Sequence, residues 1–505
     1  MKTILQYCLI SLLLIYGTTT NAQVVSTGSA YTVQSIDMPP GLMSETGGLA
    51  FLPDGRLAAC FIRGEVMLYT PEKKEWKVFA TGLHEPLGIH VVNKSEFIVM
   101  QRPELTRIRD TDGDGLADVY ETLTDDFGIS GNYHEFNYGP AQDAEGNLYI
   151  ALNTASQGGS VRPEVRGELR PSGRDMTQQG VYEMYSVVPY RGWIMKLPAG
   201  SNKLQPYASG MRSPNGIGFD LKGNLFVTDN QSDWVETSTL YHVKEGKFYG
   251  HPASLVWTKE WEGKNPFISP VPELDKIRTK AAVLFPQGVM ANSPAQPLCD
   301  ITEGKFGPFA GQLFVGEMNR DRIVRVMLET VAGELQGACI PFIDGRGLRK
   351  GNNRLAFAPD GSLWVGQIAF GWAGDQGVQR IVFNGNKPAD VQMMNLTKKG
   401  FDLTFTQPVN RTQALNAANY NFRHYYYKYQ RKAKNAGADK TDQQDVQQVP
   451  IKSVRVSADG LKVSLELNDL KAGYVYELKL GDITTAKGQA LDNRLICYTL
   501  NNLLP

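Results

Sequence analysis

The chain has 505 residues, with 52 basic and 52 acidic side chains and 51 glycines. That length exceeds one ordinary core and divides most naturally into one large domain and one of common size. The balanced charge removes the electrostatic case for nucleic acid or an anionic membrane surface as a partner, and a glycine share above the usual value of about 7% points to many tight turns between short strands.

Residues 1–22 carry Lys2, an apolar run from Leu5 to Tyr16 and a small-residue exit at Thr20-Asn21-Ala22. This is the pattern of a signal peptide, so the mature chain is expected to begin near Gln23 and to be exported. The apolar run is well short of the roughly 20 residues that span a bilayer, and no comparable segment follows, so no transmembrane segment is expected in the mature chain. Four cysteines remain, Cys60, Cys299, Cys339 and Cys497. None forms a C-x-x-C pair, which gives no indication of a zinc knuckle or a thioredoxin-like site.

A recurring phrase organises the next part: a glycine-containing turn, a short apolar strand, a polar turn with Asp-Gly or its equivalent, and a second alternating strand. It reads GGLAFLPDGRLAACF from Gly47, PLGIHVVNKSEFIVM from Pro86, NYGPAQDAEGNLYIALN from Asn137 and SPNGIGFDLKGNLFVTDN from Ser213. Looser copies follow as FAGQLFVGEMNRDRIVRVMLE from Phe309 and NRLAFAPDGSLWVGQ from Asn353. One small sheet of this kind cannot bury its own face, whereas sheets stacked around an axis can. Six copies predict an all-β fold with a six-bladed β-propeller over residues 30–392. The long excursion from Ser156 to Pro189 is expected to map to the binding face, as insertions in repeat proteins do.

After RIVFNG at Arg380 the composition shifts. A polar stretch from Lys432 to Gln448 reads as a solvated loop, and the remainder alternates strongly with Asp-Gly and Ala-Gly turns. This predicts a small antiparallel β-sandwich over 393–505. The tyrosines Tyr425, Tyr426, Tyr427 and Tyr429 are expected to pack within a strand and against the larger domain.

The sharpest short motif is DTDGDGLADVYE, from Asp110 to Glu121. Asp110, Asp112 and Asp114 fall at positions 1, 3 and 5 of a calcium loop, Gly115 supplies the turn and Glu121 closes at position 12. Leu116 offers a backbone carbonyl and Asp118 a further oxygen. No helix pair flanks the motif, so an isolated structural calcium site is expected rather than a sensor hand.

Polar residues interrupt the predicted blade strands in three places. They are GNYHEFNYG with His134, GMRSPNGIGF with Arg212 and Asn215, and TDNQSDW followed by LYHVKEGKFYGHP. The last pair carries Asp229, Asn230, Asp233, Trp234, His242, Tyr249 and His251. Equivalent loops of successive blades meet at one end of the axis, so these segments are expected to converge. His134 is then the candidate general base and Arg212 the group that holds a carboxylate or developing oxyanion. No HExxH or G-x-S-x-G pattern supports a metalloprotease or a serine hydrolase elbow.

The phrases FYGHPASLVW, KFGPFAGQLFVGE, RLAFAPDGSLWVG and the terminal YVYELKLGDI make the chain resemble the glucose/sorbosone dehydrogenase family. The likeness is greatest to its large secreted bacterial members with a C-terminal sandwich. The resemblance implies a periplasmic or extracellular sugar- or polyol-oxidising quinoprotein, a monomer or weak oligomer, acting on a carbohydrate or related small molecule. It implies pyrroloquinoline quinone (PQQ) as cofactor, with His134 as the base and Arg212 and Ser213 at the quinone. The serine stands where the family has asparagine. Asn215, Asp229, Asn230, Tyr249 and His251 would complete the cofactor contacts, with Arg320, Arg322 and Arg346 as candidate clamps for its carboxylates. Trp234, Asn153 and Trp372 would face the sugar. Two alternatives stay open: a carbohydrate-binding protein without catalysis, or a cofactor-independent sugar-processing enzyme of lyase or hydrolase type.

Overall fold

A computed structural model describes residues 25–26, 30–156, 166–174, 184–231, 233–371, 374–430 and 443–505. The predicted leader at 1–22 and Trp372 lie outside the described residues. So do parts of the Ser156–Pro189 excursion and of the polar stretch after Lys432.

The repeated phrase folds as read. At the first Asp-Gly turn Gly55 takes a φ of 88°, and Asp54 accepts the backbone N–H of Arg56 at 3.1 Å, which reverses the chain between Thr46–Phe51 and Leu57–Phe61. Four sheets of four antiparallel strands follow one another, opening on Thr46–Phe51, Ile89–Asn93, Asn137–Gln142 and Pro214–Phe219. A fifth opens on Pro294–Cys299 and a sixth on Asn352–Phe357. The sixth recruits Tyr31–Ile36 from the start of the described chain, with Tyr31 opposite Phe383.

The opening strand of each sheet packs against that of the next, and Asn352–Phe357 packs against Thr46–Phe51. The approach is close enough to require glycine. A Cβ on Gly88 would lie 1.6 Å from the carbonyl oxygen of Gly139, and one on Gly216 would lie 2.3 Å from the Gln296 Cα. Arg354 ties these strands together from within. Its buried guanidinium donates to the carbonyls of Gly47 at 2.9 Å, Asn215 at 3.0 Å and Leu87 at 3.1 Å, over the ring of Tyr138. Burial lowers its pKa to about 10, which still leaves it charged at neutral pH.

The predicted six-bladed β-propeller with a separate β-sandwich is corrected. Hydrogen bonding closes none of the sheets into a propeller or barrel; each is an open antiparallel sheet of four to eight strands. The fifth sheet does not stop at its fourth strand. Glu334–Phe342 pairs with Leu495–Leu500, and the sheet runs on through Tyr474–Leu480 and Tyr420–Tyr427 to Gln443–Val449. The physical reason is a shared core. Met327, Ala338 and Ile340 of the fifth sheet bury their side chains with Phe401, Leu403, Phe422, Tyr476 and Tyr498. Arg325 and Asp390, both buried, close the junction at 3.2 Å. Alternation along single strands cannot reveal that two predicted units pool one sheet.

Tyr425 is buried with its hydroxyl on Glu477, and Tyr429 donates to the Gly250 carbonyl at 2.6 Å. All four cysteines among the described residues are buried and free.

Candidate functional site

A cavity of about 570 Å³ opens where the loops ahead of the third, fourth and fifth sheets meet. His134, Arg212, Ser213, Asn215 and Asn230 line it, so the sequence brings these five together as expected. Four aromatic side chains, Tyr133, Phe136, Tyr138 and Phe370, give it an apolar wall. Six carboxamides line it as well: Asn215, Asn230, Gln231, Gln287, Asn292 and Asn319. Arg212 is the one charged side chain among the described lining residues.

His134 is held from three directions. Its backbone N–H donates to the Asn132 side chain at 3.0 Å, and its ring makes edge contacts with those of Tyr133 and Phe136. Its Nδ1 is 2.9 Å from the Thr154 carbonyl oxygen. A carbonyl only accepts, so Nδ1 carries the proton and Nε2 keeps its lone pair. Burial, reinforced by the charge of Arg212, lowers the imidazole pKa to about 4. The ring is therefore neutral at physiological pH.

The Arg212-Ser213 turn is pinned by Asp229, whose carboxylate accepts the backbone N–H groups of Arg212 at 2.9 Å and Ser213 at 2.6 Å. Thr154 grips the same turn through the Arg212 carbonyl, with its own N–H at 3.0 Å and its hydroxyl at 2.6 Å. Burial raises the Asp229 pKa to about 6, against those hydrogen bonds. Ser213 Oγ receives a hydrogen bond from Asn153 Nδ2 at 3.0 Å and stands 3.5 Å from His134 Nε2. The Oδ1 atoms of Asn153, Asn215 and Asn230 and the Nε of Arg212 are buried with no partner among the described residues, which leaves hydrogen-bonding capacity for a ligand.

Other expected residues are not among those lining the cavity. His251 and Asp233 face each other at 3.4 Å, both buried. Burial alone would raise Asp233, yet the hydrogen bond with His251 and the charge of Arg212 hold it below the ordinary carboxylate value. Tyr249 donates to the His242 carbonyl and accepts from the Lys244 N–H, each at 2.8 Å, so its hydroxyl closes a hairpin. Trp234 is buried against Tyr429. These positions look polar or aromatic in sequence because they brace the site's scaffold.

Sequence reasoning missed Glu317, Asn292, Ser293, Met318 and Phe136. Glu317 is fully buried and accepts the N–H groups of Asn292 at 2.7 Å and Ser293 at 3.0 Å, doing for the fifth sheet's loop what Asp229 does for the fourth. The signal was present: LFVTD ends on Asp229 and LFVGE on Glu317, the same place in two copies of the repeat.

PQQ carries three carboxylates and needs several cations around it. The cavity offers Arg212 alone among its described lining residues. Arg322 forms a bidentate pair with Asp344, Arg346 pairs with Asp492, and Arg320 donates to the Gly288 carbonyl. The residues present do not fit the quinone, and the predicted PQQ contacts are corrected accordingly. The six-ligand calcium loop is corrected too. Asp110, Asp112 and Asp114 bring one oxygen each within 4.8 Å of one another, a set that can share a metal ion. Asp118 instead accepts from the Thr111 hydroxyl at 2.6 Å and Glu121 faces Arg107 and Arg109, so neither carboxylate joins the cluster, and the expected Leu116 carbonyl adds no carboxylate to it.

No helix among the described residues is long and apolar enough to cross a membrane. No curated protein matches the chain. Among solved structures, the PQQ domain of a pyranose dehydrogenase from Coprinopsis cinerea is 15% identical, covering 72% of this chain and 97% of that one, with a TM-score of 0.48. The PQQ-bound aldose sugar dehydrogenase from Streptomyces coelicolor is 15% identical over 70% and 98%, at 0.45. A streptogramin B lyase is 10% identical over 70% and 98%, at 0.36. Membership of the glucose/sorbosone dehydrogenase family, expected from the sequence phrases, is therefore corrected to a distant likeness. The family model that does match, over residues 73–282, is described as a domain of unknown function (DUF7133), and that span contains His134, Arg212, Ser213 and Asp229.

Proposed function

We propose that the cavity binds a neutral, polyhydroxylated small molecule of carbohydrate type and that His134 takes a proton from a hydroxyl group at the site. One observation carries this reading. The Thr154 carbonyl fixes the Nδ1–H tautomer, so a neutral imidazole presents its basic Nε2 among groups that line the cavity. A general base must be deprotonated at working pH and within hydrogen-bond reach of its proton, and His134 meets the first condition by burial.

The lining supports a neutral ligand. Carboxamides donate and accept in equal measure, as sugar hydroxyls do, and the aromatic wall offers an apolar face for a ring. A single arginine suits one developing negative charge rather than a polyanion. Hydroxyl deprotonation is the opening step both of alcohol oxidation and of transfer to or from oxygen. The cavity supplies the base for either, and oxidation of a sugar or polyol would need an external hydride acceptor. With the leader at residues 1–22, the activity is exported.

Ligand-observed NMR against a panel of neutral monosaccharides, polyols and their acidic analogues tests the reading, with the product followed in the same tube. Saturable binding of a neutral member is expected, with turnover lost and binding kept in His134→Gln. Binding without turnover in the parent protein would leave a carbohydrate-binding module. Preference for the acidic analogues would overturn the reading.

A further inference from the structure

Ser213 is the side-chain hydroxyl placed at the His134 base, and its surroundings settle where its hydrogen goes. Asn153 Nδ2 donates to Ser213 Oγ at 3.0 Å and so occupies an acceptor position on that oxygen. The Ser213 hydrogen is left to point elsewhere, and His134 Nε2, 3.5 Å away, is the acceptor in that direction. The histidine in turn is oriented by the Thr154 carbonyl at 2.9 Å. The backbone under Ser213 is fixed by Asp229 at 2.6 Å. A nucleophile, a base and a group that orients the base thus stand in succession. That is the arrangement by which a serine is activated, recognised by geometry rather than by position in the chain. The contact of 3.5 Å is looser than the roughly 2.6–3.2 Å of a reacting pair, as such contacts commonly are before substrate is bound.

From this geometry we infer that Ser213 is a nucleophile activated by His134, and that the cavity hydrolyses acyl esters of a carbohydrate-type alcohol. The inference rests on the reading of His134 as the base in a cavity for neutral polyhydroxylated ligands. In the first half, Ser213 Oγ forms a bond to the ester carbonyl carbon and its proton passes to His134 Nε2. The carbonyl oxygen takes the negative charge, for which Arg212 is the available cation among the described lining residues. Collapse breaks the bond to the sugar oxygen, and His134 returns the proton to the departing alcohol. In the second half, water attacks the Ser213 ester, His134 takes a proton from it, and Ser213 leaves with that proton as the carboxylic acid is released. No electrons leave the site, so no redox partner is required.

The test is reaction of the purified full-length chain with a fluorophosphonate, read by intact mass and peptide mapping. Hydrolysis of a peracetylated monosaccharide is followed in parallel. A single adduct on Ser213 is expected, absent in Ser213→Ala and formed about 100-fold or more slowly in His134→Gln. Ester hydrolysis is expected to fall about 10³-fold or more in Ser213→Ala. Absence of an adduct in the folded parent protein, or hydrolysis in Ser213→Ala at the parent rate, overturns the proposal. Ser213→Cys guards against a misfolded alanine variant. Its thiol is expected to react with iodoacetamide about tenfold faster at pH 7 with His134 present than in the His134→Gln background, by stabilisation of the thiolate. Equal rates overturn the proposal. If Ser213→Ala keeps a turnover that His134→Gln loses, the function proposed above stands and the serine mechanism falls. If both variants keep turnover, both readings fall.

Discussion

The cavity around His134 and the acidic loop at Asp110–Asp114 both rest on short sequence motifs, and they fold into opposite situations. In the cavity Ser213 is buried, His134 and Arg212 are partly buried, and all are held by partners distant in sequence. Thr154, Asn153 and Asp229 fix His134, Ser213 and the Arg212-Ser213 turn. In the loop the carboxylates are largely exposed and held by their own neighbours. Asp110 accepts from the N–H groups of Gly113 and Gly115, Asp112 from Asp114, and Asp114 from Leu116. Burial gives the first region its shifted proton affinities and its preorganised hydrogen bonds. Local turns give the second its shape. A motif with strong spacing is therefore no guide to which region carries chemistry.

The contrast can be broken most directly at the base. His134→Gln keeps a donor for the Thr154 carbonyl but loses the basic nitrogen, so turnover should fall about 10²–10⁴-fold while the melting temperature changes little. Steady-state rates beside a thermal scan check this. A large loss of stability would make His134 a scaffold residue instead.

Next in size is Asp229→Ala. It leaves the N–H groups of Arg212 and Ser213 buried without an acceptor, which should cost about 1–3 kcal/mol per group in urea unfolding. No change would mean that Thr154 alone holds the turn.

The pH profile sharpens the comparison further. With the His134 pKa lowered to about 4, the limb of the activity profile set by the base should fall near 4, well below the usual histidine value of about 6.5. Stability carries the same sign for this group. The unfolded chain binds the proton first, so His134's contribution is present above the unfolded value and is lost as pH falls through 4. Asp229 acts oppositely. Its raised folded value, about 6, gives a contribution complete below the unfolded carboxylate value and lost as pH rises through 6. Unfolding free energies measured across pH 3–8 in the parent and the two single variants separate these contributions.

The smallest effect belongs to the loop. Asp112→Ala, at an exposed position, should change stability by less than about 0.5 kcal/mol without added cation. If calcium raises the melting temperature of the parent chain but not of this variant, the three carboxylates share an ion. Identical responses would leave the loop as an Asx-turn structure.

The reach of the sequence follows from the same contrast. Turns and alternating strands are local. Asp54-Gly55 and the phrases ending on Asp229 and Glu317 therefore announce the antiparallel hairpins directly, and the segments at His134, Arg212 and Asn230 do converge. Other properties depend on which surfaces meet. The eight-stranded sheet arises because Glu334–Phe342 finds Leu495–Leu500 across more than a hundred residues, and nothing in either strand names its partner. Tyr249 and His251 resemble site residues in sequence, yet their partners are hairpin and scaffold groups.

By itself the sequence determined the strand pattern, the charge balance and the residue types offered for chemistry, because these follow from spacing and composition. Only the tertiary structure decided that His134 is neutral, that Ser213 stands at its free nitrogen and that Arg212 is the lone charge among the described residues facing the cavity. The reason is physical. Proton affinity and hydrogen-bond direction are set by burial and by neighbours supplied from other sheets, and those are properties of the packed chain.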